Sequence, residues 1–76
     1  MEKQQGRGTV AGHHYEIVVF GAAGAGVQAA FDEFEVDVGN SCTRLRTLLV
    51  DQAALFGALD RVRNLGLELV EVRRLD

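Results

Sequence analysis

The alternation of strand-like and helix-like hydrophobic patterns is the feature that most constrains how this chain folds. Residues 15–20 are nearly all apolar and rich in β-branched and aromatic side chains, which is typical of a central strand. After a glycine-rich break, Val27, Ala30, Phe31 and Phe34 recur at helical spacing between polar residues. The chain therefore begins with a strand, followed by a short helix of two to three turns.

The middle of the chain has the pattern of a β-hairpin. Strands are predicted over residues 35–38 and 43–50, and the four residues between them, 39–42, are of the kinds that form turns. A turn of this length sets a register in which one face of the hairpin is apolar and the other holds opposite charges in pairs. The apolar pair is Val36 with Leu45, and the charged pairs are Asp37 with Arg44 and Glu35 with Arg46.

The last third predicts a longer helix and a final strand. Asp51 is a favourable N-cap, and Gly66 stands where a left-handed residue ends a helix. One apolar arc connects them, formed by Ala54, Leu55, Ala58, Leu59, Val62 and Leu65. A strand over residues 67–75 follows, with Val70 and Val72 on one face and Leu69, Glu71 and Arg73 on the other.

The resulting order, β-α-β-β-α-β, predicts an α+β fold of the ferredoxin-like type. In that sandwich two right-handed crossovers place four antiparallel strands under two helices on one face. We expect a flexible N-terminal tail over residues 1–13, which are polar and without periodicity, and one domain over residues 14–76. The first and third strands are central.

One sheet face has no helical cover in this arrangement, which predicts a homodimer. A chain of 76 residues buries only about 60% of its unfolded surface, and its single cysteine cannot form an internal disulfide. The uncovered face carries either Val18 and Phe20 or the alternate apolar residues of the same strand, so a second copy is expected to cover it. A second candidate interface is the outer side of the long helix, where Phe56 lies beside Gly57.

The glycine-rich loop after the first strand leaves two interpretations open. Gly24-Ala-Gly26-Val-Gln-Ala29 matches a dinucleotide-binding fingerprint between a strand and a helix, but the chain has no third parallel strand to complete such a site. One is a small-molecule or anion contact at Gly21, Gly24 and Gly26, and the other is a plain flexible connection.

No residue pattern indicates catalysis, a metal site or a cofactor. His13 and His14 are adjacent and would point to opposite faces of a strand, so they cannot chelate one metal together. Cys42 lies in the predicted turn without a positioned base, which a nucleophile requires. We therefore predict no catalytic residues and no metal ligands.

Charge and hydropathy exclude other partners. The net charge of −3 is unlike that of a nucleic-acid-binding domain, which is normally basic. The longest stretch without a polar side chain, residues 17–27, is far shorter than the about 20 residues of a membrane span. We therefore expect a protein that binds neither nucleic acid nor membranes. A single thiol fits a reducing compartment, so we also expect a cytoplasmic location.

Residues 51–74 resemble the ending of a group of short, uncharacterised bacterial proteins. The shared pattern is DQAALxGxLxRxRxLGLxLxxVRR, preceded by a YxIxVxG first strand. This resemblance implies a free-standing small domain and supplies no catalytic residues.

The predicted architecture is also similar to that of ACT domains, which are dimeric amino-acid sensors. They hold their ligand near the loop between the first strand and the first helix, where Gly21, Gly24 and Gly26 stand here. The Asp-x-x-Gly loop usual in ACT domains is absent. Heavy-metal-associated domains share the topology, but their Cys-x-x-Cys is missing.

Three functional hypotheses follow. The first is a non-enzymatic, homo-oligomerising interaction or accessory domain. The second is an ACT-like sensor of a small metabolite at the glycine loop. The third is an enzyme of the dimeric α+β barrel type, with a substrate cavity between sheet and helices.

Overall fold

The computed structural model describes residues 12–76 and contains six elements. They are β1 (His13–Phe20), α1 (Ala25–Ala30), β2 (Glu35–Val38), β3 (Cys42–Leu49), α2 (Gln52–Asn64) and β4 (Leu69–Arg74). Of the predicted N-terminal tail, residues 1–11 lie outside the described residues, whereas His13 is already the first residue of β1.

The four strands form one antiparallel sheet in the order β2-β3-β1-β4. The predicted α+β, ferredoxin-like arrangement is therefore confirmed, with β1 and β3 in the centre. The hairpin register is confirmed as well, because Glu35 pairs with Arg46, Val36 with Leu45 and Asp37 with Arg44.

The core lies between one face of the sheet and the two helices. Ile17 and Val19 of β1 and Leu45 of β3 are buried against Phe31 and Val62 on the helical side. Because side chains alternate along a strand, Val18 and Phe20 project from the opposite surface. The packing thus decides which apolar set of β1 is covered, a choice that the sequence left open.

The first helix is shorter than its apolar period suggested. It ends at Ala30, and Phe31 leaves the helical region at φ −120° and ψ 40°. Phe31 and Phe34 are nevertheless buried, and their rings meet edge to face at 5.2 Å between centroids. Arg61 of α2 lies over the Phe31 ring at 5.2 Å and donates a hydrogen bond of 2.9 Å to the Ala30 carbonyl. This arginine joins the end of α1 to α2.

Both predicted ends of α2 are confirmed. The Asp51 carboxylate accepts a 2.8 Å hydrogen bond from the Ala54 amide, and Gly66 has a φ of +75°. The Leu67 amide donates to the Val62 carbonyl at 3.1 Å, which closes the last turn. Leu65 was expected in the buried arc but is exposed, because the chain turns away from the helix there.

The strand β4 departs from the predicted alternation at a β-bulge. Val18 pairs with Glu71 and Val19 pairs with Leu69, so Val70 is an extra residue on the β4 side. Val72 packs against the core, whereas Val70 is exposed. The prediction that Val70 and Val72 share one face, and Leu69 and Glu71 the other, is therefore wrong, because the extra residue shifts the alternation.

Replacement by alanine should change stability in opposite directions at two glycines, one inside α2 and one just after its C-terminal end. Gly57 lies inside the helix with open space where a Cβ would stand, so we expect Gly57→Ala to raise the free energy of unfolding by about 0.5–1 kcal/mol. Gly66 has equal space but a positive φ, so Gly66→Ala should lower it by about 1 kcal/mol. Urea unfolding at neutral pH measures both, and shifts of the same sign would contradict the assignment.

Candidate functional site

The sheet surface opposite the helices, called the open face below, is not covered by either of the described helices. Its side chains alternate with those that enter the core. They are His14, Glu16, Val18 and Phe20 of β1, Glu35 and Asp37 of β2, Cys42, Arg44, Arg46 and Leu48 of β3, and Glu71 and Arg73 of β4. It is therefore mostly charged, with apolar groups toward its ends, where a largely apolar face was expected.

A row of alternating charge crosses all four strands of the open face. In the order of the strands it reads Glu35, Arg46, Glu16 and Arg73, and each member is the direct cross-strand partner of the next. The Glu16 carboxylate accepts hydrogen bonds from Arg46 Nε at 2.9 Å and from Arg73 Nε at 3.1 Å. Arg46 also approaches Glu35, with 3.7 Å between Nη1 and Oε1. We call these four residues the charged row.

Glu16 is the residue that the sequence alone did not single out. It is only 3% exposed, although neither of the helices within residues 12–76 covers its side of the sheet. Burial acts to raise the pKa of Glu16, but the hydrogen bonds and charges of Arg46 and Arg73 outweigh it and hold that pKa below its ordinary range. The sequence feature that could have indicated this site is a single carboxylate in an otherwise apolar strand, together with arginines in the strands predicted to flank it.

The four predicted interface residues do not form one surface. Val18 and Phe20 share the open face, where Val18 is buried and Phe20 is 62% exposed. Phe56 is 59% exposed and Gly57 is exposed on α2, which lies on the other side of the sheet. The structure therefore offers two separate surfaces, each with one exposed phenylalanine.

The glycine loop is held in place by a buried threonine. Thr43 Oγ1 accepts a hydrogen bond from the Ala23 amide at 2.9 Å and donates one to the Gly21 carbonyl at 2.8 Å. Gly21 has a φ of +89°, and its amide donates to the Ser41 carbonyl at 2.6 Å. These bonds tie the loop to the start of β3 and give Gly21 a structural role.

Gly24 and Gly26 are exposed, and nothing lies within 4 Å of where their Cβ atoms would stand. The α1 helix that follows has only six residues and no side-chain N-cap. Ligand binding at Gly21, Gly24 and Gly26 therefore stays a prediction.

Two cavities open elsewhere on the described surface. One of about 200 Å³ lies at the β2–β3 turn, lined by Asp37, Gly39, Asn40, Ser41, Cys42 and Arg44. The other, of about 500 Å³, is lined by His14, Glu33, Glu35, Arg46, Thr47, Leu48, Leu75 and Asp76. Neither of these two cavities is lined by Gly21, Gly24 or Gly26.

The two histidines reach the same carboxylate even though they alternate along β1. His13 Nδ1 lies 3.5 Å from Asp76 Oδ1, and His14 Nδ1 lies 3.4 Å from Asp76 Oδ2. Over residues 12–76, no group of three or more histidine, cysteine, aspartate or glutamate side chains is placed to hold a metal ion. Within the same range, no helix has the length and apolar character needed to cross a membrane.

The fold and the open face together define a small α+β domain whose uncovered sheet surface is crossed by paired charges. A family model described as "Domain of unknown function (DUF8691)" matches residues 14–73, which include nearly all of β1 to β4. The chain belongs to this family. Comparison with curated proteins gave no match, and comparison with solved structures gave none either.

The depressed pKa of Glu16 predicts a specific acid sensitivity. A carboxylate whose pKa is lower in the folded state stabilises the fold above the unfolded pKa, about 4.3 for glutamate, and this contribution is lost as the pH falls through the folded pKa. Glu16→Gln should lower the free energy of unfolding at neutral pH by about 1–3 kcal/mol. The variant should then lose less unfolding free energy than the wild type when the pH is lowered from neutral to acidic.

Urea unfolding at neutral and acidic pH measures this effect, and Glu71→Gln on the same face is the matched control. Glu71 is exposed, and its variant should keep the acid sensitivity of the wild type. Equal acid sensitivity of Glu16→Gln and the wild type would contradict the assignment.

The anchoring of the loop by Thr43 is tested by Thr43→Val, which keeps the side-chain shape. The variant leaves the Ala23 amide and the Gly21 carbonyl without their partner, so we expect a loss of about 1–3 kcal/mol in unfolding free energy. Thr47→Val changes the same group on the same face of β3, where the side chain is half-buried, and should cost less. Similar losses in the two variants would rule out the anchoring role.

Proposed function

We propose that this protein is a non-enzymatic interaction or accessory domain that self-associates as a homodimer. The observation that carries the proposal is the open face. There Phe20 is 62% exposed and Leu48 is also exposed, and both lie on the same surface as the charged row. Aromatic residues are enriched in protein interfaces, where polar groups form the surrounding rim, so the exposed Phe20 beside polar groups fits a surface that meets another protein.

The size of the open face sets the expected strength of the contact. The four strands have 8, 4, 8 and 6 residues. With about 4.8 Å between strands and about 3.3 Å per residue, they span roughly 400 Å². A stable protein interface buries about 800 Å² on each partner. The proposed dimer therefore belongs to the weak, reversible class, and its association must be sought at high protein concentration.

The experiment is sedimentation equilibrium over a concentration series from about 10 μM to about 1 mM, a range suited to weak association. We expect the apparent mass to rise from that of one chain toward that of two, because mass action favours the dimer at high concentration. A chain that stays monomeric up to about 1 mM would contradict the proposal, because its dimer dissociation constant would then lie above the range of weak, reversible complexes.

The matched pair Phe20→Ser and Phe56→Ser identifies the surface. Both phenylalanines are similarly exposed, at 62% and 59%, but they lie on opposite sides of the sheet. Phe20→Ser should weaken association because it removes apolar area from the open face, whereas Phe56→Ser should leave it unchanged. The reverse result would assign the dimer to the outer side of α2 and overturn the role of the open face.

A further inference from the structure

We infer that two copies of this chain pair through their open faces about a two-fold axis that runs parallel to the strands, between β1 and β3. This inference rests on the proposed self-association and adds the geometry and the residue pairs. It starts from the order of charge in the charged row, which reads negative, positive, negative, positive from β2 to β4.

A row of alternating charges with an even number of members is complementary to a copy of itself in which the order of the charges is reversed. Rotation about an axis parallel to the strands keeps each residue at the same position along the strand direction but reverses the order of the strands. As a result β2 faces the partner's β4, and β3 faces the partner's β1. Glu35 then faces the partner's Arg73, and Arg46 faces the partner's Glu16. All four contacts of the charged row join opposite charges.

The two-fold axes that run across the strands, along the charged row or beside it, bring like charges together. An axis along the charged row places each residue opposite its own copy, so Glu35 meets the partner's Glu35. An axis between this row and the next places Glu35 opposite the partner's Asp37 and Arg46 opposite the partner's Arg44. Since like charges across an interface are unfavourable, the charges select an axis parallel to the strands. Among the axes between neighbouring strands, the one between β1 and β3 lets all four strands face the partner's strands.

The outer members of the charged row are the ones free to reach across. The Glu16 side chain is 4% exposed and its carboxylate already accepts hydrogen bonds from two arginines, so it has little capacity for a further partner. The Glu35 side chain is 77% exposed, and that of Arg73 is 58% exposed. The pair of Glu35 with the partner's Arg73 therefore provides the main attraction, and symmetry supplies it twice.

The apolar end of the open face is consistent with the same axis. Phe20 and Cys42 are cross-strand partners on β1 and β3, next to the axis. In the dimer Phe20 faces the partner's Cys42, so the two exposed phenylalanines lie side by side and exclude water from that end. The two half-buried Cys42 thiols come close enough for a short thiol cross-linker, given strands about 4.8 Å apart and packed sheets about 10 Å apart.

One contact in this geometry brings like charges together, and its reversal gives a variant that should bind more tightly than the wild type. The row above consists of Asp37, Arg44, Val18 and Glu71, and it does not alternate. The same axis places Asp37 opposite the partner's Glu71. Replacing Glu71 by lysine turns this repulsion into attraction at two symmetric positions, and a misfolded chain would not produce such a gain.

The decisive experiment mixes two charge-reversed chains. Glu35→Arg alone and Arg73→Glu alone each place like charges opposite one another, so each should dimerise about tenfold more weakly than the wild type or worse. In a heterodimer of the two variants the introduced arginine faces the introduced glutamate, and the native Arg73 of one chain faces the native Glu35 of the other. The mixture should therefore recover near wild-type association. Sedimentation equilibrium measures all three samples, and circular dichroism checks that each chain is folded.

Two further variants accompany the mixture. Arg73→Gln replaces Arg73→Glu if the loss of a Glu16 partner unfolds the chain. Its heterodimer with Glu35→Arg keeps one native pair of Glu35 with Arg73, so this mixture should associate more tightly than either variant alone. Asp60→Arg, on the exposed side of α2, is the control that should leave association unchanged. Glu71→Lys should tighten the dimer about tenfold. In the wild type, a short bis-maleimide should join two Cys42 residues at high concentration, and Cys42→Ser should abolish this product.

The outcomes separate this inference from the proposed function. If the wild type dimerises but the mixture does not recover association, or Glu71→Lys weakens the dimer, the pairing and its axis are overturned while self-association stands. If the wild type stays monomeric throughout, both are overturned. Recovery in the mixture together with tighter association of Glu71→Lys establishes the axis.

Discussion

The two arginines that converge on Glu16 determine the character of the uncovered side of this sheet. Arg46 and Arg73 come from the two strands that flank β1, and each donates an Nε–H to a different oxygen of the same carboxylate. The bridge spans β3, β1 and β4 on the side that faces away from α1 and α2. A single side chain thereby stabilises three strands with charge-assisted hydrogen bonds on the face opposite the described helices.

Polar contacts of this kind recur wherever the small core ends. Thr43 connects the loop after β1 to β3, and Arg61 connects the end of α1 to α2 through the Ala30 carbonyl and the Phe31 ring. In each case a side chain satisfies a backbone group that no regular element can satisfy. A domain this small has few buried apolar groups, so these connections define its loops and the short α1 helix.

The charged row also changes the question that the open face poses. An apolar surface would require cover for stability alone, but a surface of paired charges is stable in water as it stands. Its Glu35 end remains exposed, as does its Arg73 end, and the alternation between them is self-complementary. Recognition of a second copy then rests on electrostatic pairing and on the exposed Phe20, with a contact area typical of reversible association.

The sequence by itself determined the order of the six elements, the ends of α2 at Asp51 and Gly66, and the cross-strand pairs of the β2–β3 hairpin. These depend on neighbours within one turn or one short loop, so local patterns are sufficient to predict them. Only the tertiary structure decided which side of β1 meets the helices, where α1 stops, and that Val70 is a bulge residue. It also brought Arg73 of β4 beside Glu16, because pairing between strands more than fifty residues apart depends on the packing of the whole sheet and leaves no periodic signal in the chain.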